Sequence, residues 1–196
     1  MKFYWIPKTR AMRIGWLLEE LGQPYERIAA DEAVKRDPEF LAASPMGKVP
    51  ALIDGPAKLW DSGAIALYLA DAYPQAKLGV AVGEPKRAAF VQWCLYTNAV
   101  IEPAMMEKFS GAAPNKTRSG YGSFDLMLET LEAGLRPGPW ILGDRFTAAD
   151  VLVGSSVGFM KQFGALPDGR AALDAYVERC QSRPAYQRAA SWDAAA

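Results

Sequence analysis

The 196-residue chain contains no histidine and only two cysteines. The absence of histidine removes the most common general base and a common metal ligand from any chemistry the protein performs. Cys94 and Cys180 lie in separate helical segments, without the spacing of a C-x-x-C motif or of a disulfide framework. We therefore expect catalysis without imidazole, no bound metal, and a cytoplasmic protein without a signal peptide.

The chain also lacks an excess of either charge and any long hydrophobic run. Lysine plus arginine and aspartate plus glutamate number 22 each, which gives a formal net charge of zero. This balance favours neither nucleic acid nor an anionic membrane as a partner, and no segment predicts a transmembrane span. Because 51% of the residues are hydrophobic, we expect a globular protein whose ligand is small and neutral or zwitterionic.

Strand and helix signals alternate along residues 1–76. The predicted elements are a strand at Lys2–Ile6, a helix with Thr9 as its N-cap and Gly22 as its stop, a strand at Tyr25–Ala29, a short or broken helix within Asp31–Ala43, a hairpin at 46–60 with its turn at Gly55–Lys58, and a helix that begins at Asp61–Ser62. This order is β-α-β-α-β-β-α. The strand-helix-strand start predicts a parallel pair, and the hairpin adds antiparallel strands to the same sheet.

Helical periodicity dominates residues 84–196, so we place a domain boundary between them and residues 1–76. The predicted helices cover 84 to about 108 with a kink or an early end at Pro103, Tyr121–Leu135, Val151–Phe163, and Ala171–Arg183 with Pro184 as its stop. Thr147 and Asp150 have the spacing of a capping box at the start of the most apolar of these helices. We assign that pair a role in folding.

The stretch from Met46 to Ala70 carries the most unusual chemistry. Pro50 opens a strand, where it leaves Val49 extended and able to pair its backbone with a group outside the sheet, and the bond between them could be cis. Asp61 offers a carboxylate to an ammonium group, next to the hydroxyl of Ser62 and helix N–H groups that would accept a carboxylate. An amino-acid head group carries both charges. The alternative is that Asp61 and Ser62 only cap their helix.

The chain contains five characteristic segments: SPMGKVPAL at Ser44–Leu52, DSGAI at Asp61–Ile65, YLA at Tyr68–Ala70, WLLEELG at Trp16–Gly22 and GDRFTAAD at Gly143–Asp150. Together they resemble the glutathione transferase superfamily, and specifically a bacterial-type cytosolic member that uses a hydroxyl rather than a cysteine. The resemblance implies an α/β thioredoxin-like N-terminal domain, residues 1–76, that binds glutathione. It implies an all-α helical-bundle C-terminal domain, residues 84–196, that contributes the electrophile site.

The resemblance also implies a role for each matching position. The backbone of Val49 would pair with the cysteinyl part of glutathione, and Pro50 would be the cis-proline that holds that strand end. Asp61 and Ser62 would bind the γ-glutamyl head group, and Lys48 would reach the glycyl carboxylate. Glutathione would then be the co-substrate of a detoxifying transferase.

Members of this family activate the glutathione thiol as a thiolate, and two residues of this chain are candidates to stabilise it. The hydroxyl of Thr9 stands where family members of this type usually carry serine. The guanidinium of Arg10 stands where cysteine-type members place their cysteine, and it would supply positive charge without a base. Because residues 1–76 contain no cysteine, disulfide exchange with a protein nucleophile is not expected.

The predicted activity is conjugation of glutathione to a small hydrophobic electrophile. The candidates for the electrophile site are Pro7, Tyr96, Met105, Met106 and Phe109. The resemblance and the apolar composition predict a homodimer. Alternatively, the chain is a non-catalytic protein of the same fold that binds glutathione or another ligand, or a regulatory protein of that fold.

Overall fold

The computed structural model describes residues 1–111, 117 and 119–194, and it divides them into two compact units. The first unit contains Met1–Leu78 together with the residues from Ser182 onward, and the second contains Gly79–Gln181. The division inferred from the sequence differs for the residues from Ser182 onward, because it assigned all of residues 84–196 to the helical domain.

The first unit is built on a four-stranded mixed sheet. Its elements are β1 at Lys2–Trp5, α1 at Ala11–Leu21, β2 at Glu26–Ala29, α2 at Pro38–Ala43, β3 at Ala51–Asp54, β4 at Ala57–Trp60, α3 at Ser62–Ala72 and, beyond the second unit, α9 at Pro184–Ala194. The strand order is β2-β1-β3-β4, in which β1 is parallel to β2 and antiparallel to β3, and β3 is antiparallel to β4. This is the predicted thioredoxin-like arrangement.

Local sequence signals explain most of these element boundaries. Gly22 ends α1 with a φ of 68° and donates its N–H to the carbonyl of Leu18, as expected of a glycine stop. Asp37 caps α2 by accepting from the N–H of Glu39, and the preceding 3₁₀ turn at Val34–Arg36 makes the segment the broken helix that was predicted.

The hairpin turn is shorter than predicted. Asp54 pairs with Ala57 across β3 and β4, so Gly55 and Pro56 form the turn and the predicted four-residue turn is wrong. Gly55 adopts a φ of 56°, which favours glycine because it has no Cβ atom. The two extra strand residues lengthen β4 to Ala57–Trp60.

The helix that was predicted to stop at Pro184 ends at Gln181, but the same proline opens a further helix, α9, that was not predicted. A helix tolerates proline at its first position, where the missing N–H would have had no partner within the helix. α9 packs against α1: Arg183 donates to Glu20 at 2.8 Å, and Arg188 donates to Glu19 at 2.6 Å. Gly15 of α1 lies so close to the Trp192 ring that a Cβ atom there would stand 2.5 Å from it.

The described part of the second unit is built from helices. Its helices are α4 at Arg87–Tyr96, α5 at Glu102–Ser110, α6 at Phe124–Leu135, α7 at Ala148–Gln162 and α8 at Ala171–Gln181. A π-helical turn at Thr97–Ile101 joins α4 to α5, so the predicted long helix continues to Ser110 with an irregular turn just before Pro103. Pro103 cannot donate a backbone hydrogen bond, and this explains why the hydrogen-bond pattern of the helix changes next to it. Over residues 1–111, 117 and 119–194, no helix is long and apolar enough to cross a membrane.

A buried capping box fixes the start of α7, as predicted. Asp150 has no exposed surface, and its carboxylate accepts from the N–H and the hydroxyl of Thr147 at 2.9 and 3.2 Å. It also accepts from the N–H of Ile141 at 2.8 Å and from the hydroxyl of Tyr176 at 3.0 Å. Burial raises the pKa of Asp150 to about 6, although these four hydrogen bonds favour the charged form. The carboxylate therefore connects three parts of the unit.

We expect the stability difference between the protein and an Asp150→Asn variant to depend on pH. Asparagine cannot accept all four hydrogen bonds, so the variant should lose about 1–3 kcal/mol near pH 7. The folded-state pKa of about 6 lies above the reference value of 3.8, so protonation of Asp150 favours the folded state. This contribution is complete below pH 3.8 and is lost as the pH rises through 6.

Urea unfolding of both proteins at pH 4.5 and pH 7.5 measures this effect. The free energy of unfolding of the unsubstituted protein, relative to the variant, should be about 2 kcal/mol larger at the lower pH. All other carboxyl groups are common to the two proteins and cancel in the difference. A difference that is equal at both pH values would contradict the prediction.

Candidate functional site

The strand register places three predicted site segments at one end of the sheet of the first unit. Tyr4 near the end of β1 pairs with Ala51 at the start of β3, and Ala51 also pairs with Trp60 at the end of β4. The loop that follows β1, the loop that precedes β3 and the N-terminus of α3 therefore leave the sheet at the same end. These segments contain Thr9 and Arg10, Lys48 to Pro50, and Asp61 and Ser62, respectively.

Thr9 uses its hydroxyl within its own loop. The hydroxyl donates to the carbonyl of Ile6 at 2.7 Å and accepts from the N–H of Ala11 at 3.2 Å. Thr9 therefore ties the loop to the first turn of α1, although Arg10 occupies the N-cap position that was predicted for Thr9. A threonine hydroxyl has a single hydrogen, so it can donate to a sulfur only if it releases the carbonyl of Ile6.

Two cations flank Thr9 in this loop. Arg10 is exposed and immediately precedes α1, whose first N–H groups add partial positive charge. Lys8 is exposed and has a φ of 55°, a backbone conformation that costs a lysine about 1–2 kcal/mol. The conformation of Lys8 could not be predicted, because positive φ values are expected mainly at glycine, asparagine and aspartate.

Ser44 anchors the loop that contains Lys48 and Val49. Its buried hydroxyl accepts from the N–H of Lys48 at 3.0 Å and donates to the carbonyl of the same residue at 2.7 Å. The Val49–Pro50 peptide bond is cis, and the side chain of Val49 packs against a buried cluster that includes Tyr4. Both backbone polar groups of Lys48 are thereby used inside the protein, while its side chain is exposed.

Asp61 caps α3. Its Oδ1 atom accepts from the N–H of Gly63 at 2.9 Å and from the N–H of Ala64 at 3.2 Å. Asp61 therefore does act as a helix cap, which was the alternative role considered from the sequence. The residue is nonetheless exposed and has a φ of 72°. Strained backbone of this kind is found disproportionately at binding sites. A cap that uses one carboxylate oxygen is compatible with a second role for the group.

Ser62 is buried and contacts an arginine that sequence analysis missed. The Nη1 atom of Arg13 donates to the hydroxyl oxygen of Ser62 at 3.3 Å, and each residue is only 5% exposed. Arg13 shares one face of α1 with Leu17 and Leu21, at i+4 and i+8, and both leucines are buried. That spacing was the available signal, since a charged residue aligned with core leucines is unusual.

The predicted electrophile-site residues of the second unit fall into two groups. Tyr96 and Met105 are buried, and the hydroxyl of Tyr96 donates to the carbonyl of Met127 at 3.2 Å. Met106 and Phe109 expose about half of their surface, 56% and 46%. Exposed side chains are the ones that a ligand can contact without rearrangement of the core. Within the described part of the chain, no group of three or more histidine, cysteine, aspartate or glutamate residues could hold a metal ion.

Comparisons with known proteins agree with this geometry. The family model for "Glutathione S-transferase, N-terminal domain" matches residues 1–71, and the model for "Glutathione S-transferase, C-terminal domain" matches residues 105–179. The chain therefore belongs to the glutathione S-transferase family. Its similarity to bacterial members extends over nearly the whole chain.

Three relatives illustrate that similarity. Glutathione S-transferase GstB of Escherichia coli strain K12 is 28% identical over 192 residues, which are 92% of each chain. The crystal structure of a glutathione transferase from Methylococcus capsulatus has a TM-score of 0.83 at 26% identity, over 100% of this chain and 99% of that one. A sphingomonad glutathione S-transferase complexed with glutathione has a TM-score of 0.82 at 27% identity, over the full length of both chains.

One further relative has a different activity in its name. The disulfide-bond oxidoreductase YfcG of Escherichia coli strain K12 is 29% identical over 165 residues, which are 76% of this chain and 74% of that protein. In the present protein both cysteines, Cys94 and Cys180, are buried in the second unit. Family membership alone therefore does not fix the reaction.

Proposed function

We propose that this protein is a glutathione transferase that joins the sulfur of glutathione to small apolar electrophiles. The observation that carries the proposal is the meeting of three segments at one end of the sheet: a cis-proline loop, a helix N-terminus with Asp61 and Ser62, and a loop with Thr9 and Arg10. A glutathione site needs a loop that pairs with the peptide backbone, charged and polar groups that bind the head group, and a group that stabilises the sulfur. The bound glutathione of a full-length structural relative supports the same ligand.

In this proposal each segment binds one part of glutathione. The backbone of Val49 pairs with the cysteinyl residue, and the side chain of Lys48 reaches the glycyl carboxylate. The carboxylate of Asp61 binds the γ-glutamyl ammonium, while the hydroxyl of Ser62 and the first N–H groups of α3 receive the γ-glutamyl carboxylate. Charge-assisted hydrogen bonds of this kind are about twice as strong as neutral ones.

The chemical step needs a stabilised thiolate rather than a protein nucleophile. The thiol proton leaves to solvent, the sulfur attacks the electrophilic carbon to form a C–S bond, and a leaving group departs with its electron pair. Positive charge from Arg10 and from the N-terminus of α1 lowers the pKa of a nearby thiol. Because Thr9 already donates its single hydrogen to Ile6, we assign the larger share of this effect to Arg10. Met106 and Phe109 contribute to the apolar electrophile site.

The second candidate function is a non-catalytic protein of the same fold that binds glutathione or another ligand. The observation in its favour is the engagement of the Thr9 hydroxyl, which serves the loop rather than an incoming sulfur. A turnover assay with glutathione and 1-chloro-2,4-dinitrobenzene, beside a calorimetric titration with glutathione, separates the two functions. Turnover together with binding supports the transferase, and binding without turnover of this or other electrophiles supports the second candidate.

Substitution of Thr9 and of Arg10 identifies the group that stabilises the thiolate. We expect Arg10→Ala to raise the pKa of bound glutathione and to reduce turnover near neutral pH by about ten- to a hundredfold, which corresponds to one charge-assisted bond. Thr9→Val keeps the β-branched shape and should lose about 1 kcal/mol of stability, with a nearly unchanged rate per folded molecule.

The pH–rate profiles of the two variants provide the measurement. Arg10→Lys is the matched control, because it keeps the positive charge but loses the planar guanidinium, and it should retain more activity than Arg10→Ala. If Thr9→Val shifts the profile while Arg10→Ala does not, the hydroxyl is the stabiliser and the assignment to Arg10 is wrong.

Asp61 offers a test of head-group recognition that is separate from folding. Asparagine caps a helix about as well as aspartate and also tolerates a positive φ, so Asp61→Asn should leave the melting temperature nearly unchanged. It removes the charge that would pair with the γ-glutamyl ammonium, so glutathione affinity measured by calorimetry should fall by roughly ten- to a hundredfold. Normal affinity in Asp61→Asn would mean that Asp61 is a cap and nothing more.

We also propose that the protein is a homodimer. Met46 and Trp60 expose 70% and 44% of their surface in the first unit, where Trp60 ends the edge strand β4, and large exposed apolar side chains favour an interface. Light scattering at micromolar concentration should give twice the mass of one chain, and Met46→Lys should shift that mass towards one chain. Phe163→Lys, at an exposed position of the second unit, is the control. A monomer mass for the unsubstituted protein would overturn the proposal.

A further inference from the structure

The side chain of Glu39 ties α2 to strand β1. Its Oε1 and Oε2 atoms accept from the ammonium group of Lys2 at 2.9 and 2.7 Å, and Oε2 also accepts from the hydroxyl of Tyr4 at 3.1 Å. Lys2 and Tyr4 are two residues apart in the strand, so their side chains lie on the same face of the sheet. One carboxylate of α2 thus holds two side chains of β1.

The two partners of Glu39 contribute unequally to this tie. The side chains of Lys2 and Glu39 are 40% and 48% exposed, and ion pairs at the surface contribute little because water screens them. Tyr4 is 3% exposed, and its ring packs against the ring of Phe40 in α2, with the ring centroids 5.1 Å apart. A hydroxyl that donates to a carboxylate forms a charge-assisted hydrogen bond, which is stronger than a neutral one. Tyr4 therefore holds α2 both by its ring and by its hydroxyl.

Helix α2 depends on such contacts because it is short. It has only six residues, Pro38–Ala43, and a helix of this length is not stable by itself in water. Phe40 and Ala43 are buried in a cluster that includes Tyr4, and Glu39 adds its bonds to β1. Tertiary contacts rather than the helix itself therefore determine where α2 lies.

The end of α2 is also the start of the cis-proline loop. The N–H of Ser44 donates to the carbonyl of Phe40 at 2.7 Å, which joins Ser44 to the last turn of α2. The Ser44 hydroxyl in turn bonds to both backbone groups of Lys48, and Val49 packs against the same buried cluster as Phe40. The helix and the loop are thus connected in two ways, through Ser44 and through the cluster. We call residues 38–50 the α2 segment.

We propose that Glu39 is a positioning residue for the backbone of Val49, because it holds the whole α2 segment on β1. When the bonds of Glu39 break, α2 and the loop leave the sheet together, and only the attached segment places the Val49 backbone for pairing with a peptide. This inference rests on the proposed function, in which that backbone pairs with the cysteinyl residue of glutathione. Glu39 acts through Ser44 and the buried cluster.

Amide hydrogen exchange measured by NMR spectroscopy tests whether the α2 segment opens as one. The N–H groups of Ser44 and Lys48 report on the helix and the loop, and that of Leu69, buried in α3, reports on unfolding of the whole first unit. We expect Ser44 and Lys48 to have equal protection factors, both smaller than that of Leu69. Equal protection at all three amides, or unequal protection at Ser44 and Lys48, would overturn the proposal.

Substitution of Glu39 tests whether its carboxylate holds the segment. Glu39→Ala should speed the exchange of Ser44 and Lys48 by the same factor, about tenfold, which corresponds to the loss of one hydrogen bond to a charged group. Glu39→Gln keeps an acceptor oxygen and should lie between Glu39→Ala and the unsubstituted protein. Faster exchange at Ser44 alone would mean that Glu39 stabilises the helix without positioning the loop.

Substitutions of the two partners separate the ion pair from the tyrosyl bond. Tyr4→Phe keeps the buried ring and should approach the effect of Glu39→Ala, and it should add nothing in the double variant. Lys2→Met should change the exchange rates by less than about threefold. Asp174→Asn is the matched control, because Asp174 pairs with Lys161 at 2.6 Å in the second unit, and it should leave the α2 segment unchanged. A larger effect of Lys2→Met than of Tyr4→Phe would contradict the assignment of the tie to Tyr4.

Glutathione provides the functional test. A ligand that binds only the attached segment slows exchange through the open form, so glutathione at a hundred times its dissociation constant should slow both Ser44 and Lys48 by about a hundredfold. Slower exchange at Lys48 but not at Ser44 would overturn the role of Glu39 and leave the proposed function intact. If calorimetry shows that glutathione does not bind, the proposed function fails, and the role of Glu39 in glutathione binding fails with it.

Discussion

The antiparallel pairing of β1 with β3 is the constraint on which the candidate site depends. It places the end of β1 beside the start of β3, and the hairpin returns β4 to the same end of the sheet. Side chains alternate between the faces of a strand, so a shift of one residue in this register would invert the face of every strand side chain. Phe3 of β1 pairs directly with Leu52 of β3, and the burial of both side chains favours this register. The hydrophobic core thus determines where three polar loops meet.

The element order could be predicted because each boundary carried a local signal. Gly22 ends α1, Pro38 breaks the segment before β3, and Thr147 with Asp150 begins α7, each by chemistry that lies within a few residues. α9 was missed for the same reason. Pro184 is a stop signal for one helix and a start signal for the next, and only the packing of α9 against α1 decides between them.

For the candidate site, the sequence predicts which residue types are present, but it does not predict which hydrogen bonds they form. The cis bond before Pro50 and the exposed carboxylate of Asp61 agree with what the motifs suggested. The hydroxyl of Thr9 shows the limit, because a sequence states that a hydrogen exists but not which acceptor receives it. Arg13 shows a second limit: its partner Ser62 is 49 residues away in the chain, and no local pattern links the two.

The packing of α9 against α1 has a consequence for synthesis on the ribosome. The sheet, α1 and α3 lie within the first 78 residues, but the helix that covers α1 follows the entire second unit. A nascent chain that has reached residue 181 still exposes the surfaces of Gly15 and Trp16 that Trp192 and Tyr186 later cover. The first unit to emerge is thus the last to be completed. The apolar surface of α1 remains accessible to a chaperone throughout translation of the helical unit.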